Sequence, residues 1–275
     1  MIPAGREFYK MSGSGNDFVF VDARTEPAGA LDDADTIRAI CARGTGVGAD
    51  GIVFLEPSPR ASVRMRYLNS DGSVAALCGN ATLCTARLLV ELGGVGAGVG
   101  QPFTIESASG VLGAVVRADG PTVDMPAVEN LTPDSGTRLV AGERRAAFAK
   151  VGIPHLVVLC DDLEAVDVVG RGRPLRFDPA FSDGTNVDFV GRGPDGRWYM
   201  RTYERGVEGE TLACGTGAVA SAVVLDHWGL APAGGTIVTR SGKELTVGVR
   251  SKDGQIKPSL AGEARIVYRG YLGEI

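Results

Sequence analysis

Histidine is nearly missing from this chain: 275 residues carry two, His155 and His227, 72 positions apart. The five cysteines, Cys41, Cys78, Cys84, Cys160 and Cys214, include no C-x-x-C pair. These two shortages exclude the usual zinc-binding spacings, so no metal site is expected. An odd cysteine count with no compact framework points to reduced thiols rather than a disulfide scaffold. There is no run rich in Lys and Arg, and the net charge is -5, which argues against a nucleic-acid partner. No apolar stretch reaches the roughly 18 residues of a membrane span. The first residues have no basic segment followed by an apolar one, so no signal peptide is expected. A cytoplasmic protein follows as the expectation. Apolar content of 44% and charged content of 22% suit a soluble globular protein. The length suffices for two ordinary domains.

Glycine, by contrast, is abundant at 40 residues. Much of it sits in motif-like loops, while Gly93 to Gly100 reads as a plain connector. Two of the Gly-rich turns belong to a duplication. Met65-Arg66-Tyr67-Leu68-Asn69 leads to Cys78-Gly79-Asn80-Ala81 and an apolar run ending at Gly93. Met200-Arg201-Thr202-Tyr203-Glu204 leads to Cys214-Gly215-Thr216-Gly217 and an apolar run ending at Gly229. Met to Cys is 13 residues in one copy and 14 in the other, and Cys to Gly is 15 in both. A weaker echo links Gly15-Asn16-Asp17-Phe18-Val19 with Gly184-Thr185-Asn186-Val187-Asp188-Phe189-Val190. Two related halves, each with a thiol at a Gly-rich turn, suggest one site with two thiols facing each other.

Strands are expected at 18–22, 51–55, 63–68, 103–107, 113–117 and 122–125, and helices at 33–42 and 82–92. The second half repeats the plan, with strands at 156–159, 186–190, 198–203, 236–240, 245–250 and 264–268 and a helix at 218–227. Long strand runs with few helices indicate an α+β architecture rather than alternating βαβ units. The turn Asp119-Gly120-Pro121 is the expected domain boundary.

Each paired cysteine precedes an apolar helix. A helix start offers unpaired N–H groups and a partial positive charge. A carboxylate can dock there, on Gly79-Asn80 and Gly215-Thr216. The same field is expected to lower the thiol pKa from about 8.5 and make each thiol a usable base. For a single cysteine, an inert buried position would explain as much; the matched pair is what favours chemistry. Cys84 has no cysteine counterpart in the second copy, where Ala220 stands, and reads as core. Cys41 and Cys160 read as structural. His155, after Pro154 and before a strand, is a candidate site residue, whereas His227 suits a helix C-terminus. Gly46-Val47-Gly48-Ala49-Asp50-Gly51 matches the dinucleotide fingerprint G-x-G-x-x-G. Here a helix precedes it and a strand follows, the reverse of what that fingerprint requires, so a nicotinamide or flavin cofactor is rejected. No lysine has a context that marks a pyridoxal phosphate site.

The motifs together resemble the diaminopimelate epimerase family. The resemblance is carried by Phe8-Tyr9-Lys10-Met11-Ser12-Gly13-Ser14-Gly15-Asn16-Asp17-Phe18, the 46–51 stretch, Asn69-Ser70-Asp71-Gly72-Ser73 and Cys78-Gly79-Asn80. It continues through Pro154-His155, Thr185-Asn186-Val187-Asp188-Phe189, Glu204-Arg205-Gly206 and Glu210-Thr211-Leu212-Ala213-Cys214-Gly215-Thr216-Gly217. The resemblance implies two pseudo-symmetric domains, each a barrel-like, mostly antiparallel sheet around a central helix, with the active site in the cleft between them. Residues 1–119 would form one domain with a returning strand at 264–275, and residues 120–263 the other. It implies cofactor-independent interconversion of LL- and meso-diaminopimelate by two-base thiolate/thiol proton transfer at the α-carbon, in lysine and peptidoglycan precursor synthesis, by a homodimer.

Carried over by resemblance, Cys78 and Cys214 are the acid/base thiols, with His155 and Glu204 supporting them. Asn16, Asn69, Asn186, Glu204 and Arg205 bind substrate. Gly79, Asn80, Gly215 and Thr216 cradle the carboxylate at the reacting centre. The chain departs from the family's common residues at Leu83, where an Arg is usual, at Ile153 for Asn, and at Gly51 for Gln. One residue is added between Glu204 and Cys214. A racemase of another amino acid on the same fold remains the alternative. A phenazine-biosynthesis-like isomerase would share the fold but lack the thiols. A two-lobed amino-acid-binding protein would exchange no α-proton, and a Cys–His hydrolase would form an acyl intermediate.

Overall fold

The computed structural model describes residues 5–75, 77–94, 96–252 and 254–274, leaving aside the side chain of Lys252. Two compact units divide the chain: Met1–Val123 with Gly262–Ile275, and Asp124–Ala261. The elements run β1 (Glu7–Gly13), β2 (Asn16–Asp22), α1 (Ala34–Cys41), β3 (Gly51–Glu56), β4 (Val63–Asn69), α2 (Gly79–Glu91), β5 (Phe103–Ser107), β6 (Gly110–Arg117) and β7 (Gly120–Asp124). There follow β8 (Val128–Thr132), β9 (Glu143–Val151), β10 (Ile153–Cys160), α3 (Val168–Arg176), β11 (Asn186–Arg192), β12 (Trp198–Glu204) and β13 (Gly209–Thr211). The last are α4 (Gly215–His227), β14 (Gly235–Val238), β15 (Glu244–Lys252), β16 (Gln255–Gly262) and β17 (Arg265–Tyr271).

The duplication seen in the sequence is a duplication of topology. In the first unit β1–β2 is antiparallel, β2–β3 parallel, β3–β4 antiparallel, β4–β5 parallel and β5–β6 antiparallel. In the second, β9–β10, β10–β11, β11–β12, β12–β14 and β14–β15 repeat that order of directions. A parallel neighbour needs a crossover, and helices supply it. The chain passes through α1 and α2 in the first unit and through α3 and α4 in the second. The fold is α+β, with mostly antiparallel sheets, as the strand-rich pattern indicates. β17 returns to pair with β1, from Glu7 opposite Tyr271 to Ser12 opposite Arg265.

The two crossover helices that follow the paired cysteines are cores in themselves. In α4 every residue from Gly215 to Leu225 is buried, and the helix packs against β9, β10, β11, β12, β14 and β15. In α2 residues 79–86 are all buried, and β1, β4, β6 and β17 pack around it. A helix that is apolar all round belongs inside its domain, and here one sheet curves about it.

Six elements do not announce themselves in the sequence, β13 (Gly209–Thr211) and β16 (Gln255–Gly262) among them. β1 is buried on both faces over Phe8–Met11 and so shows no alternation. β9 begins with the charged Glu143-Arg144-Arg145 and continues through Ala146, Ala147 and Ala149, which have little strand preference. β8 is short and mostly exposed. α3 contains Gly170, Gly172 and Pro174, the poorest helix formers. Asp167 starts it by accepting from Gly170 N at 2.9 Å. Gly172 has a packing reason: a Cβ there would lie 2.5 Å from Cβ of Tyr203 on β12.

Burial of thiols makes a prediction at high pH. Burial pushes Cys41 from 9.0 up to about 11 and Cys160 up to about 12. Above pH 9 the unfolded chain therefore releases protons that the folded chain keeps. The unfolded state then binds fewer protons, so stability falls as pH rises from 9 towards 12. Denaturant unfolding of wild type and of Cys41→Ala and Cys160→Ala checks this. The variants are expected to lose less stability between pH 8 and 10.5 than wild type. An unchanged slope would refute the role of these thiols.

Candidate active site

In each unit a strand ends, a short turned segment follows, and a cysteine becomes the first residue before a buried helix. In the first unit β4 ends at Asn69, whose Nδ2 donates to Ser73 Oγ at 3.0 Å and whose N–H donates to Ser73 O at 2.9 Å. Cys78 then precedes α2. In the second unit β12 ends at Glu204, β13 doubles back on it, and Cys214 precedes α4. The two cysteines share one backbone conformation, φ -132° and ψ 111° at Cys78, φ -135° and ψ 110° at Cys214. Their carbonyls accept from Thr82 N and Ala218 N, both at 3.0 Å. This extended conformation turns the chain into the helix while leaving the first-turn amides available to an anion.

A polar chain lies behind the first helix start. Asn80 Nδ2 donates to Asn16 Oδ1 at 2.7 Å, and Asn16 Nδ2 donates to Asp50 Oδ2 at 3.0 Å. Arg43 bridges Asp17 at 2.6 Å and Asp50 at 2.7 Å, and Lys10 pairs with Asp17 at 2.5 Å and donates to Gly48 O. Burial raises the Asp17 carboxyl, but the hydrogen bonds from Arg43 and Lys10 outweigh it, so Asp17 lies below the usual carboxylate range. Asn80 is fully buried, and its Oδ1 has no partner among the described residues. Gly13 passes close over this helix: a Cβ there would lie 2.9 Å from both Asn80 O and Cys84 Sγ. Cys84 is fully buried core, as its lack of a counterpart suggested.

The second helix start is built on His155. This residue is fully buried on β10, and its Nδ1 lies 2.7 Å from Asp188 Oδ2 on β11. Asp188 Oδ1 accepts from Thr202 Oγ1 on β12 at 2.8 Å. A ring nitrogen of His155, a carboxylate oxygen of Asp188 and Cys214 Sγ all lie within 4.8 Å of one another. Sequence spacing gives no hint of such a three-donor cluster. The His155–Asp188 hydrogen bond gives it the connectivity of an acid–base group. His155 Nε2 is buried with no partner among the described residues. Cys214 Sγ is 3.5 Å from Thr216 Oγ1.

The expected lowering of the thiol pKa fails at Cys214. Burial pushes this thiol well above its ordinary value, and the charges of Glu204 and Asp188 push it further. The Thr216 hydroxyl and the Gly217 N–H act in the opposite sense and are outweighed. The helix start is real, but removal of water from the sulfur dominates.

The remaining sequence candidates divide. Asn186 is buried at the start of β11, donating to Pro154 O at 3.0 Å and accepting from Arg205 N at 2.8 Å. It thus ties Arg205 to the strand that carries His155, and Arg205 Nη1 donates to Asp183 O at 2.9 Å. Glu204 is half-buried at the end of β12. Asn69 stays within its own turn, and Gly79, Asn80, Gly215 and Thr216 form the two first helical turns. Leu83 is fully buried in α2, so the residue replacing the family's Arg is core. Gly51 on β3 has no room for a side chain, since a Cβ would collide with Leu68 O and lie 2.5 Å from the Tyr67 ring. The fingerprint-like stretch 46–51 links α1 to β3, as its order of elements required.

Asp188, Thr202 and Asp50 are the site residues that sequence reasoning left unassigned. For Asp188 a signal exists: it is a charged residue amid six residues, 186–191, that are all buried. Acidic side chains are almost never fully buried without a partner.

Comparison with known proteins places this geometry. The family model described as diaminopimelate epimerase matches residues 8–130 and again 147–270. A protein named diaminopimelate epimerase from Gemmatimonas aurantiaca is 46% identical over 278 residues, covering 96% of this chain and 98% of its own length. One of the same name from Aquifex aeolicus is 39% identical, covering 98% of each. Among solved structures, a phenazine biosynthesis protein of the PhzF family from Bacillus anthracis superposes with a TM-score of 0.75 at 17% identity, covering 98% of this chain and 99% of that one. A hydroxyproline epimerase from Agrobacterium vitis gives 0.73, also at 17%, covering 99% and 92%. At that identity the likeness is one of fold.

Proposed function

This chain belongs to the diaminopimelate epimerase family, and from that premise we propose that it interconverts LL- and meso-diaminopimelate, an isomerisation in lysine biosynthesis. The observation that supports it best is the pair of cysteines with matching backbone geometry at the starts of two buried helices, in a chain similar over its whole length to proteins of that name.

Inversion at carbon needs a base on one face and an acid on the other. In the proposed reaction Cys78 and Cys214 supply them, one thiol from each unit, and their roles exchange with the direction of reaction. One thiolate removes the α-proton; the other thiol gives a proton to the opposite face. The carbanion formed between these events needs charge stabilisation, and free amides at a helix start, preorganised toward the substrate carboxylate, are suited to it. Asn80 Oδ1 and His155 Nε2, both buried acceptors without a partner among the described residues, are suited to donors such as a substrate ammonium or a thiol. We propose that the reaction needs no pyridoxal phosphate. The buried Lys10, held by Asp17 and Gly48 O, is engaged elsewhere.

Turnover of LL-diaminopimelate in heavy water tests the proposal. The expected result is meso product with deuterium at the inverted α-carbon. Absence of exchange with this substrate, together with exchange on another amino acid, would transfer the chemistry to the racemase alternative. Absence of exchange on every amino acid tried would refute an epimerase.

A further inference from the structure

We propose that Asp188 is a positioning residue: it fixes His155 as the tautomer protonated on Nδ1 and so leaves Nε2 as a bare, buried proton acceptor. The inference deepens the epimerase proposal and rests on it for its kinetic part only. The stretch around Asp188 carries the family resemblance, but resemblance assigned the residue no role.

The geometry begins with register. β10 and β11 are parallel neighbours with His155 opposite Asn186 and Val157 opposite Asp188. This places the Asp188 carboxylate against the imidazole edge, at 2.7 Å from Nδ1. A carboxylate only accepts, so the Nδ1 atom facing it carries the hydrogen. Neutral imidazole has one N–H, and Nε2 is then left with its lone pair. Asp188 has little freedom to turn away. Its other oxygen accepts from Thr202, and its carboxylate sits against Gly217 in the first turn of α4. A Cβ at Gly217 would overlap the carboxylate, lying 3.0 Å from its Cγ. The aspartate is therefore clamped by β10, β12 and α4 at once.

The arrangement matters because Cys214 is disfavoured as a thiolate by its own surroundings. One ring nitrogen of His155 lies within 4.8 Å of the Cys214 sulfur; in the proposed step a thiol proton passed to the bare Nε2 breaks the S–H bond and forms an N–H bond. Thiol and neutral imidazole become thiolate and imidazolium. Asp188 lies against the imidazolium so formed and balances its charge. With the other tautomer, Nε2 would already carry hydrogen and could accept nothing.

The test is direct because the chain has only two histidines. With the exposed His227 replaced by Gln, nitrogen NMR of labelled protein reports on His155 alone. The expected result is an Nδ1–H, Nε2-bare tautomer in the His227→Gln background. In Asp188→Asn the amide can donate to Nδ1, and the tautomer is expected to switch to Nε2–H. With diaminopimelate, Asp188→Asn is expected to lower kcat by roughly 100- to 10,000-fold with KM little changed. Thr202→Val, which frees one oxygen of Asp188, is expected to keep the tautomer and lose about tenfold in kcat. An Nε2–H tautomer with Asp188 intact would overturn the proposal even if the Asn variant failed to fold. An unchanged kcat in a folded Asp188→Asn variant would overturn it too. The NMR result needs no substrate, so failure of the epimerase proposal would show separately, as absent turnover with the tautomer as expected.

Discussion

Alanine at either Cys78 or Cys214 is expected to abolish inversion of diaminopimelate, a fall of roughly 10,000-fold, the upper end of what a positioned acid or base contributes. The two losses should be about equal, although the two residues differ in exposure. Cys214 is buried, whereas Cys78 is half-buried. In a two-base inversion every turnover uses one group to remove a proton and the other to deliver one. Loss of either therefore blocks both directions. Serine would not restore activity, because a hydroxyl is a far weaker acid than a thiol and its alkoxide is out of reach in neutral water. The informative readout is exchange separated from inversion. A variant that keeps one thiol can still take and return a proton on one face, so α-deuterium uptake without inversion is expected from one stereoisomer for each variant, and from opposite stereoisomers for the two. Cys41→Ala and Cys160→Ala serve as controls and should turn over like wild type. Inversion surviving in either Cys78→Ala or Cys214→Ala would remove that thiol from the mechanism.

Those two thiols are the part of the site most legible in the sequence. Their meaning came from duplication: the Cys–Gly spacing recurs, the Met–Cys spacing recurs to within one residue, and the backbone at the two cysteines recurs to within a few degrees. Helices after Cys78 and Cys214 were visible as apolar runs closed by Gly93 and Gly229. The strands that alternate or concentrate β-branched residues were visible as well. What escaped is explained by what a sequence does not encode locally. Asp188 meets His155 across 33 residues through parallel pairing, and no short-range pattern fixes that register. β1 escaped because burial on both faces erases alternation, and α3 because Gly172 was selected for its approach to Tyr203 rather than for helix propensity. The acidity of Cys214 was misjudged for a related reason. A helix start can be read from sequence, but desolvation of a sulfur depends on everything packed around it, and that effect is the larger one here.

Gly217→Ala should damage both the stability and the turnover of the second unit. In the first turn of α4 alanine is ordinarily the better helix former, by about 1 kcal/mol. Propensity alone therefore predicts stabilisation. The structure predicts the reverse. The added carbon would overlap Asp188 Oδ1 and lie 3.0 Å from Cγ and 3.2 Å from Oδ2. Neither side yields easily, since the carboxylate is held by His155 and Thr202 and the helix is buried all round. Overpacking of this kind costs about 1–3 kcal/mol, which for a chain of this size lowers the melting temperature by roughly 2–5 °C. Turnover should fall by about 100-fold as well, because the displaced carboxylate no longer holds His155. The two effects can be parted with Asp188→Gly. Removing the carboxylate makes room for the methyl, so the double variant should recover stability relative to Gly217→Ala, a coupling between neighbours that simple addition of the single effects does not give. Its turnover should stay low, because the room is regained without the hydrogen bond. A more stable Gly217→Ala with normal turnover would mean that the carboxylate can move aside, and the clamp on Asp188 would not exist.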